Sequence, residues 1–260
     1  MKDELKIALV QADTRFDTIE GNLAYLEELL ESSNETADIY LLPELFNTGY
    51  RKAFETKPEV MGLQTTRWMK SMAARKNAAI CGSITISENG KVFNRMLFVY
   101  PDGRIQSYDK VNVFAFSGED KVFSTGTKSV VFEYLGWRIK AIICFDLRFP
   151  EAVRNQSPYY DLIICSAHWP EPRIQAWDSL IPARAIENQS YLAAVNRIGV
   201  EGTANYPGHS CVVDFMGSFV SEFMTNAGIK TASIFKSKQN TFREIFPFLK
   251  PEIRIIPHQM

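Results

Sequence analysis

The stretch RIKAIICFDLRFPE, residues 138–151, carries the reading of the fold. An apolar run ends in Cys144 and gives way at once to polar and turn-forming residues, with Pro150 placed to open a short helix. A second passage, DLIICSAHWPE at 161–171, repeats that profile around Cys165. The pair reads as two neighbouring parallel strands, each ending in a cysteine, as in an α/β fold. A buried thiol can be a nucleophile or simply a small core residue, so the two passages pose a choice between Cys144 and Cys165.

The same alternation extends outward in both directions. LKIALVQA (5–12) reads as a strand, and GNLAYLEELLESS after it as a helix with Leu23, Leu26, Leu29 and Leu30 on one face. ADIYLLPE is a buried strand stopped by Pro43, and TTRWMKSMAARKN a second helix facing inward with Trp68, Met69, Met72 and Ala73. AAICGSITIS, VFNRMLFVYP and RIQSYDK form an antiparallel meander joined by ENGK and by Asp102-Gly103. Beyond the two cysteine passages, IQAWDSLIPARAIENQ is mostly helical, with a kink or restart expected at Pro182. YLAAVNRIG, HSCVVDFMG and FVSEFM supply further strands. Residues 1–260 are expected to form a single domain, with 236–260 a C-terminal extension that covers a neighbouring subunit.

Composition narrows the partners. The 260 residues carry 29 basic and 30 acidic side chains, a formal net charge of -1, which offers no electrostatic footprint for nucleic acid or an anionic membrane. The N-terminal MKDELKIALVQA reads as neither a signal nor a transit peptide, and no apolar run approaches the roughly 20 residues that span a bilayer. Four cysteines without a CxxC pair suggest free thiols rather than disulfides or a zinc site, and the protein is expected to be cytoplasmic.

Three polar residues close apolar runs, where strand ends of α/β folds open into a ligand crevice: Glu44 in YLLPE, Lys110 in SYDK and Cys144 in IKAIICFD. They are the chemical types needed for thiol-based amide hydrolysis: an attacking sulfur, a carboxylate to move protons and a cation for the oxyanion. Singly, each is more often a surface charge or a core thiol.

Their contexts, LPELFNTGY, YDKVNVF and ICFDLRFPE in that order, resemble the three motifs of the nitrilase superfamily, the carbon-nitrogen hydrolases. The resemblance continues through SAHWP, ARAIENQ and YPGHSCVVD, and CFDLRFPE with SAHWP and ARAIENQ is most similar to the omega-amidase branch. It implies a four-layer α-β-β-α sandwich, commonly paired into dimers. It also implies hydrolysis of the terminal amide of 2-oxoglutaramate or 2-oxosuccinamate, with no metal or organic cofactor. Carried over, Glu44 is the general base, Lys110 the cation at the oxyanion and Cys144 the nucleophile that forms an acyl-thioester. The Phe145 N–H would be the second oxyanion donor. The supporting second glutamate of the family falls on Glu119, or on its neighbour Asp120.

Phe116, Phe145 and Trp169 are expected to wall the pocket, and Arg173 is a candidate for a substrate carboxylate. Asp146, Arg148 and Glu151 read as a structural charge cluster around the nucleophile's turn. Other readings are a Cys-His hydrolase using His168, a relative acting on a nitrile, an N-carbamoyl compound or a deaminated peptide amide, and a catalytically silent interaction protein.

Overall fold

The computed structural model describes residues 2–14 and 18–250. Its first half runs β1 (Glu4–Gln11), α1 (Ile19–Ser32), β2 (Ile39–Leu41), α2 (Gln64–Lys76), β3 (Ala79–Glu88), β4 (Lys91–Val99) and β5 (Ile105–Asp109). The second half begins with β6 (Val131–Tyr134), β7 (Trp137–Ile143), α3 (Pro150–Val153), β8 (Leu162–Ala167), α4 (Ile174–Glu187) and β9 (Tyr191–Asn196). It ends with β10 (Ile198–Glu201), β11 (Ala204–Pro207), β12 (Cys211–Val213), β13 (Phe219–Ser221), β14 (Gly228–Phe235) and α5 (Lys236–Ile245).

Two six-stranded sheets result, ordered β14-β1-β2-β3-β4-β5 and β13-β12-β9-β8-β7-β6, while β10 and β11 form a separate hairpin. Both sheets share one plan. Three central strands are parallel, β1-β2-β3 in one and β7-β8-β9 in the other, and antiparallel strands flank them. Parallel strands need both faces covered, and the side-chain alternation of β1 supplies the match. Leu5, Ile7 and Leu9 pack into the core between the sheets with Phe98, Ile139 and Ile143. Ala8 and Val10, on the opposite face, pack with Leu23, Leu26 and Leu30 of α1 and Met69 and Met72 of α2. On the other sheet, Trp177, Ile181 and Ala185 of α4 are buried. The layers are therefore α-β-β-α, as the resemblance implied.

Local signals set the helix ends. Thr18 caps α1 by accepting the Gly21 N–H at 3.1 Å, and Asn77 closes α2 in the left-handed conformation with φ 47°. Pro182 lies inside α4, which runs from 174 to 187 without the restart that the sequence allowed.

Two further expectations need correction. FVSEFM is not the last strand: β14 follows and pairs antiparallel with β1 along its whole length, tying the C-terminal part of the chain to the first sheet. Cys165 does not end its strand either. It lies within β8, opposite Ile142, whereas Cys144 is the first residue past β7. Within the proposed extension, α5 packs on its own chain, with buried Gln239 donating to the carbonyls of Asp161 and Gln189. Residues 251–260 of that extension lie outside the described residues.

Candidate active site

Glu44, Lys110 and Cys144 leave three different segments and meet in one place. Glu44 follows β2, and its side chain is 0% exposed. Its Oε1 accepts from Lys110 Nζ at 2.9 Å and from Asn94 Nδ2 at 2.8 Å, and its Oε2 from the His168 N–H at 3.0 Å. Lys110, directly after β5, also donates to Glu119 Oε1 at 2.8 Å. The loop beyond Lys110 is drawn back beside β5 at Gly126, whose N–H donates to the Lys110 carbonyl at 2.8 Å. A Cβ there would lie 2.1 Å from the Asp109 carbonyl oxygen, so only glycine fits.

Cys144 opens a tight turn, Cys144–Arg148, with φ 45°, a left-handed conformation that costs a non-glycine residue about 1 kcal/mol or more. Asp146 offsets that strain. Fully buried, it accepts the Ile143 N–H at 2.9 Å and the Tyr108 hydroxyl at 2.8 Å on Oδ2, and both the N–H and Nδ2 of Asn112 at 2.9 Å on Oδ1. One carboxylate thus holds the Cys144 turn and the segment after Lys110 together. It does so through neutral donors, so the charge cluster expected from Asp146, Arg148 and Glu151 does not form; Glu151 is exposed.

Burial and charge set the protonation states. Desolvation raises the Glu44 pKa, against the opposing pull of Lys110. Burial, reinforced by the negative charge of Glu44, pushes the Cys144 thiol well above its ordinary value. Lys110 is also disfavoured as a cation by burial, but Glu44 and Glu119 outweigh this and hold it firmly protonated. The resting arrangement is a neutral thiol beside a carboxylate of increased basicity. The thiol hydrogen has two acceptors in reach, the Glu44 carboxylate and the His168 carbonyl oxygen, the latter 3.7 Å from Sγ.

Glu119 rather than Asp120 faces this centre. It is 0% exposed, its Oε1 also accepts the Tyr50 hydroxyl at 2.8 Å, and its Oε2 accepts the Phe114 N–H at 2.7 Å; Asp120 is exposed. The Lys110, Glu119 and Cys144 side chains open onto a cleft. Phe145 and Trp169 line it. Phe116 does not: it is 90% exposed, because the turn at Ala115–Ser117 points it outward, and Phe114 takes the wall position against Phe145 at a centroid distance of 4.8 Å.

Arg173 and Arg148 also line the cleft. Each guanidinium lies over an aromatic ring, Arg148 over Trp169 at 4.9 Å and Arg173 over Phe114 at 5.1 Å. Among the described residues neither is ion-paired. His168 lines the cleft as well, but among the described residues neither ring nitrogen has a hydrogen-bond partner, so the Cys-His pairing considered from the sequence is not formed.

Tyr50, Phe114 and Tyr206 are cleft residues that sequence reasoning passed over, and Arg148 is one that it read as structural. Tyr50 was visible in LPELFNTGY but carries no chemical signature of its own. Tyr206 arrives from the β10–β11 hairpin, which no sequence pattern placed near Cys144.

The sequence pattern of the carbon-nitrogen hydrolase family matches residues 6–240. The chain is 35% identical to an omega-amidase YafV of Yersinia enterocolitica, over 94% of each chain. It is 32% identical to a 2-oxoglutaramate amidase of Bacillus subtilis, over 93% of this chain and 95% of that one. Among solved structures, XC1258 from Xanthomonas campestris, a CN-hydrolase superfamily protein with an arsenic adduct in its active site, superposes with a TM-score of 0.93 at 37% identity, covering 99% of this chain and 100% of that one.

Proposed function

The chain belongs to the carbon-nitrogen hydrolase family, and on that footing we propose that it is an omega-amidase acting on 2-oxoglutaramate or 2-oxosuccinamate. The carrying observation is a small cleft in which a buried carboxylate, a buried ammonium and a thiol meet, with two unpaired guanidinium groups on its walls. The relatives' names supply the substrate class. The charges suit it, since a small amide that carries a carboxylate needs a cation away from the reacting carbon.

In this reading Cys144 Sγ attacks the amide carbon while its proton passes to Glu44. Burial raises both groups, so the thiol stays protonated until attack and gives its proton to Glu44 as the C–S bond forms; no standing thiolate is required. The oxyanion is held by Lys110 Nζ and the Phe145 N–H. Glu44 then protonates the nitrogen, the C–N bond breaks and ammonia leaves an acyl-thioester on Cys144. Water attacks the thioester carbon and gives a proton to Glu44. The C–S bond breaks, Glu44 returns the proton to sulfur, and the dicarboxylate departs. Glu119, saturated by Lys110, Tyr50 and Phe114, holds the ammonium in place. The cycle consumes amide and water and uses no metal or organic cofactor.

The whole chain acts as one catalytic domain in this reading, and as a homodimer. Ile186 on α4, Met216 and Phe219 in the β12–β13 region, and Phe246 after α5 are exposed apolar side chains. The turn at Gly217 lies against the Ile186 side chain, and the Phe246 carbonyl accepts from Gln189 beside the end of α4, which makes the face continuous. Ile186→Glu should therefore shift the sedimentation coefficient from dimer to monomer. Cytoplasmic residence fits four free thiols, and among the described residues no helix is long and apolar enough to cross a membrane.

The test is ammonia release from 2-oxoglutaramate, 2-oxosuccinamate, glutamine, a nitrile and an N-carbamoyl amino acid. Highest kcat/KM on the two oxo-amides is expected. Preference for glutamine, the nitrile or the carbamoyl compound over the oxo-amides contradicts the proposal.

A further inference from the structure

His168 is 4% exposed, and among the described residues both of its ring nitrogens lack a hydrogen-bond partner. Buried polar groups are nearly always paired, so an imidazole with no protein partner on the wall of a cleft needs an explanation. Its main chain explains why the residue is fixed there but not why it is histidine. The His168 N–H donates to Glu44 Oε2, and its carbonyl faces Cys144 Sγ. Any residue type could supply those two contacts.

The ring packs among aromatic neighbours. Trp169 is pinned through its N–H to Asn196 Oδ1 at 2.7 Å and through Nε1 to the Arg173 carbonyl at 2.7 Å. The imidazole is packed edge-on against Tyr206, with centroids 5.5 Å apart, and tilted against Tyr50 at 5.9 Å. Burial, then the nearby charge of Arg197, drives its pKa well below the ordinary value. A neutral imidazole offers one N–H donor and one bare nitrogen.

We propose that His168 is the specificity-determining residue of this cleft, its ring N–H donating to the 2-oxo oxygen of the substrate. The inference rests on the amidase reading and deepens it. An oxygen acceptor at that carbon fills the unmet donor, whereas a methylene leaves it empty. An amino group brings a positive charge into a cleft already lined by Lys110, Arg148 and Arg173. The residue would thereby separate oxo-amides from unsubstituted monoamides and from glutamine, by the penalty of leaving a buried polar group unpaired.

The experiment compares kcat/KM for 2-oxoglutaramate and for glutaramate, which has a methylene in place of the keto group, in the unaltered protein and in His168→Phe and His168→Asn. His168→Phe should lower the ratio of kcat/KM on the oxo-amide to that on glutaramate by about 10- to 100-fold. His168→Asn, which keeps an N–H donor, should recover part of that ratio. Thermal unfolding reports folding in each variant. On the unaltered protein, 2-oxoglutarate should inhibit glutaramate hydrolysis about tenfold more tightly than glutarate. Equal losses on both amides, or equal inhibition by the two acids, would overturn the inference while leaving the amidase reading intact. No ammonia from any amide in the unaltered protein would overturn both.

Discussion

The Glu44 carboxylate accepts the main-chain N–H of His168 at 3.0 Å, a bond that crosses from one sheet of the sandwich to the other. Glu44 follows β2 and His168 follows β8, and the Ser166 hydroxyl makes a parallel crossing to the Leu42 carbonyl at 2.8 Å. The carboxylate that moves the proton in the proposed mechanism is therefore oriented by both sheets at once, a preorganisation that neither sheet provides alone.

Activity should fall on acidification through a midpoint above 4.5, the ordinary value for a glutamate, because Glu44 acts in its ionised form and burial raises its pKa. The sign follows from the role: protonated Glu44 cannot receive the thiol proton. Initial rates of ammonia release across acid to neutral pH measure this limb. Glu44→Gln should abolish it and lower kcat by roughly 10²- to 10⁴-fold. A midpoint at or below 4.5 would show that Lys110 dominates burial.

Asp146→Asn should destabilise the protein and impair catalysis together. An amide can replace only one of the two accepting oxygens, so two of the four donors now satisfied lose their acceptor. The expected cost is about 2–4 kcal/mol, seen as a fall in Tm of roughly 5–15 °C. Thermal unfolding measured alongside kcat tests it, and an unchanged Tm would remove Asp146 from its place as the clamp of the nucleophile's turn.

Arg148→Leu and Arg173→Leu should raise KM for oxo-amides by about tenfold each, with smaller effects on a simple aliphatic amide that lacks a carboxylate. Steady-state kinetics on both substrate types separates charge recognition from lost packing. Equal effects on both would mean that the two guanidinium groups serve only to brace Phe114 and Trp169.

Cys165→Ala should leave kcat within about threefold of the unaltered protein and cost about 1 kcal/mol from the small cavity left in β8, read by urea unfolding. Cys165 is fully buried, and its thiol pKa is raised by desolvation first. Loss of turnover would return it to consideration as the nucleophile.

The fold was legible where periodicity is strong. The Leu face of α1 and the Ile-Ile runs of β7 and β8 announce their elements. Strand β14 was missed because it lies at a sheet edge with most residues only partly buried, so GIKTASIF shows no sustained apolar alternation. At Pro182 the sequence left a kink and a restart open, and the burial of Trp177, Ile181 and Ala185 goes with a helix that does not restart there.

At the site, Glu44, Lys110 and Cys144 close apolar runs, but it was the ordered contexts LPELFNTGY, YDKVNVF and ICFDLRFPE that singled them out. Glu119 and Asp120 could not be told apart, since only the tight turn after Gly118 decides which of two adjacent acids turns inward. Phe116 was placed two residues from the true wall, Phe114, for the same reason. Arg148, read as part of a structural cluster, faces the cleft because Asp146 is already satisfied by neutral donors.

Acid-quenched turnover of 2-oxoglutaramate, followed by peptide mass mapping, addresses the central chemistry most directly. The expected result is a mass gain equal to substrate minus ammonia on the peptide carrying Cys144, absent from Cys144→Ala and from peptides carrying Cys165. An adduct on any other cysteine, or continued turnover by Cys144→Ala, would contradict the assignment of Cys144 as the nucleophile.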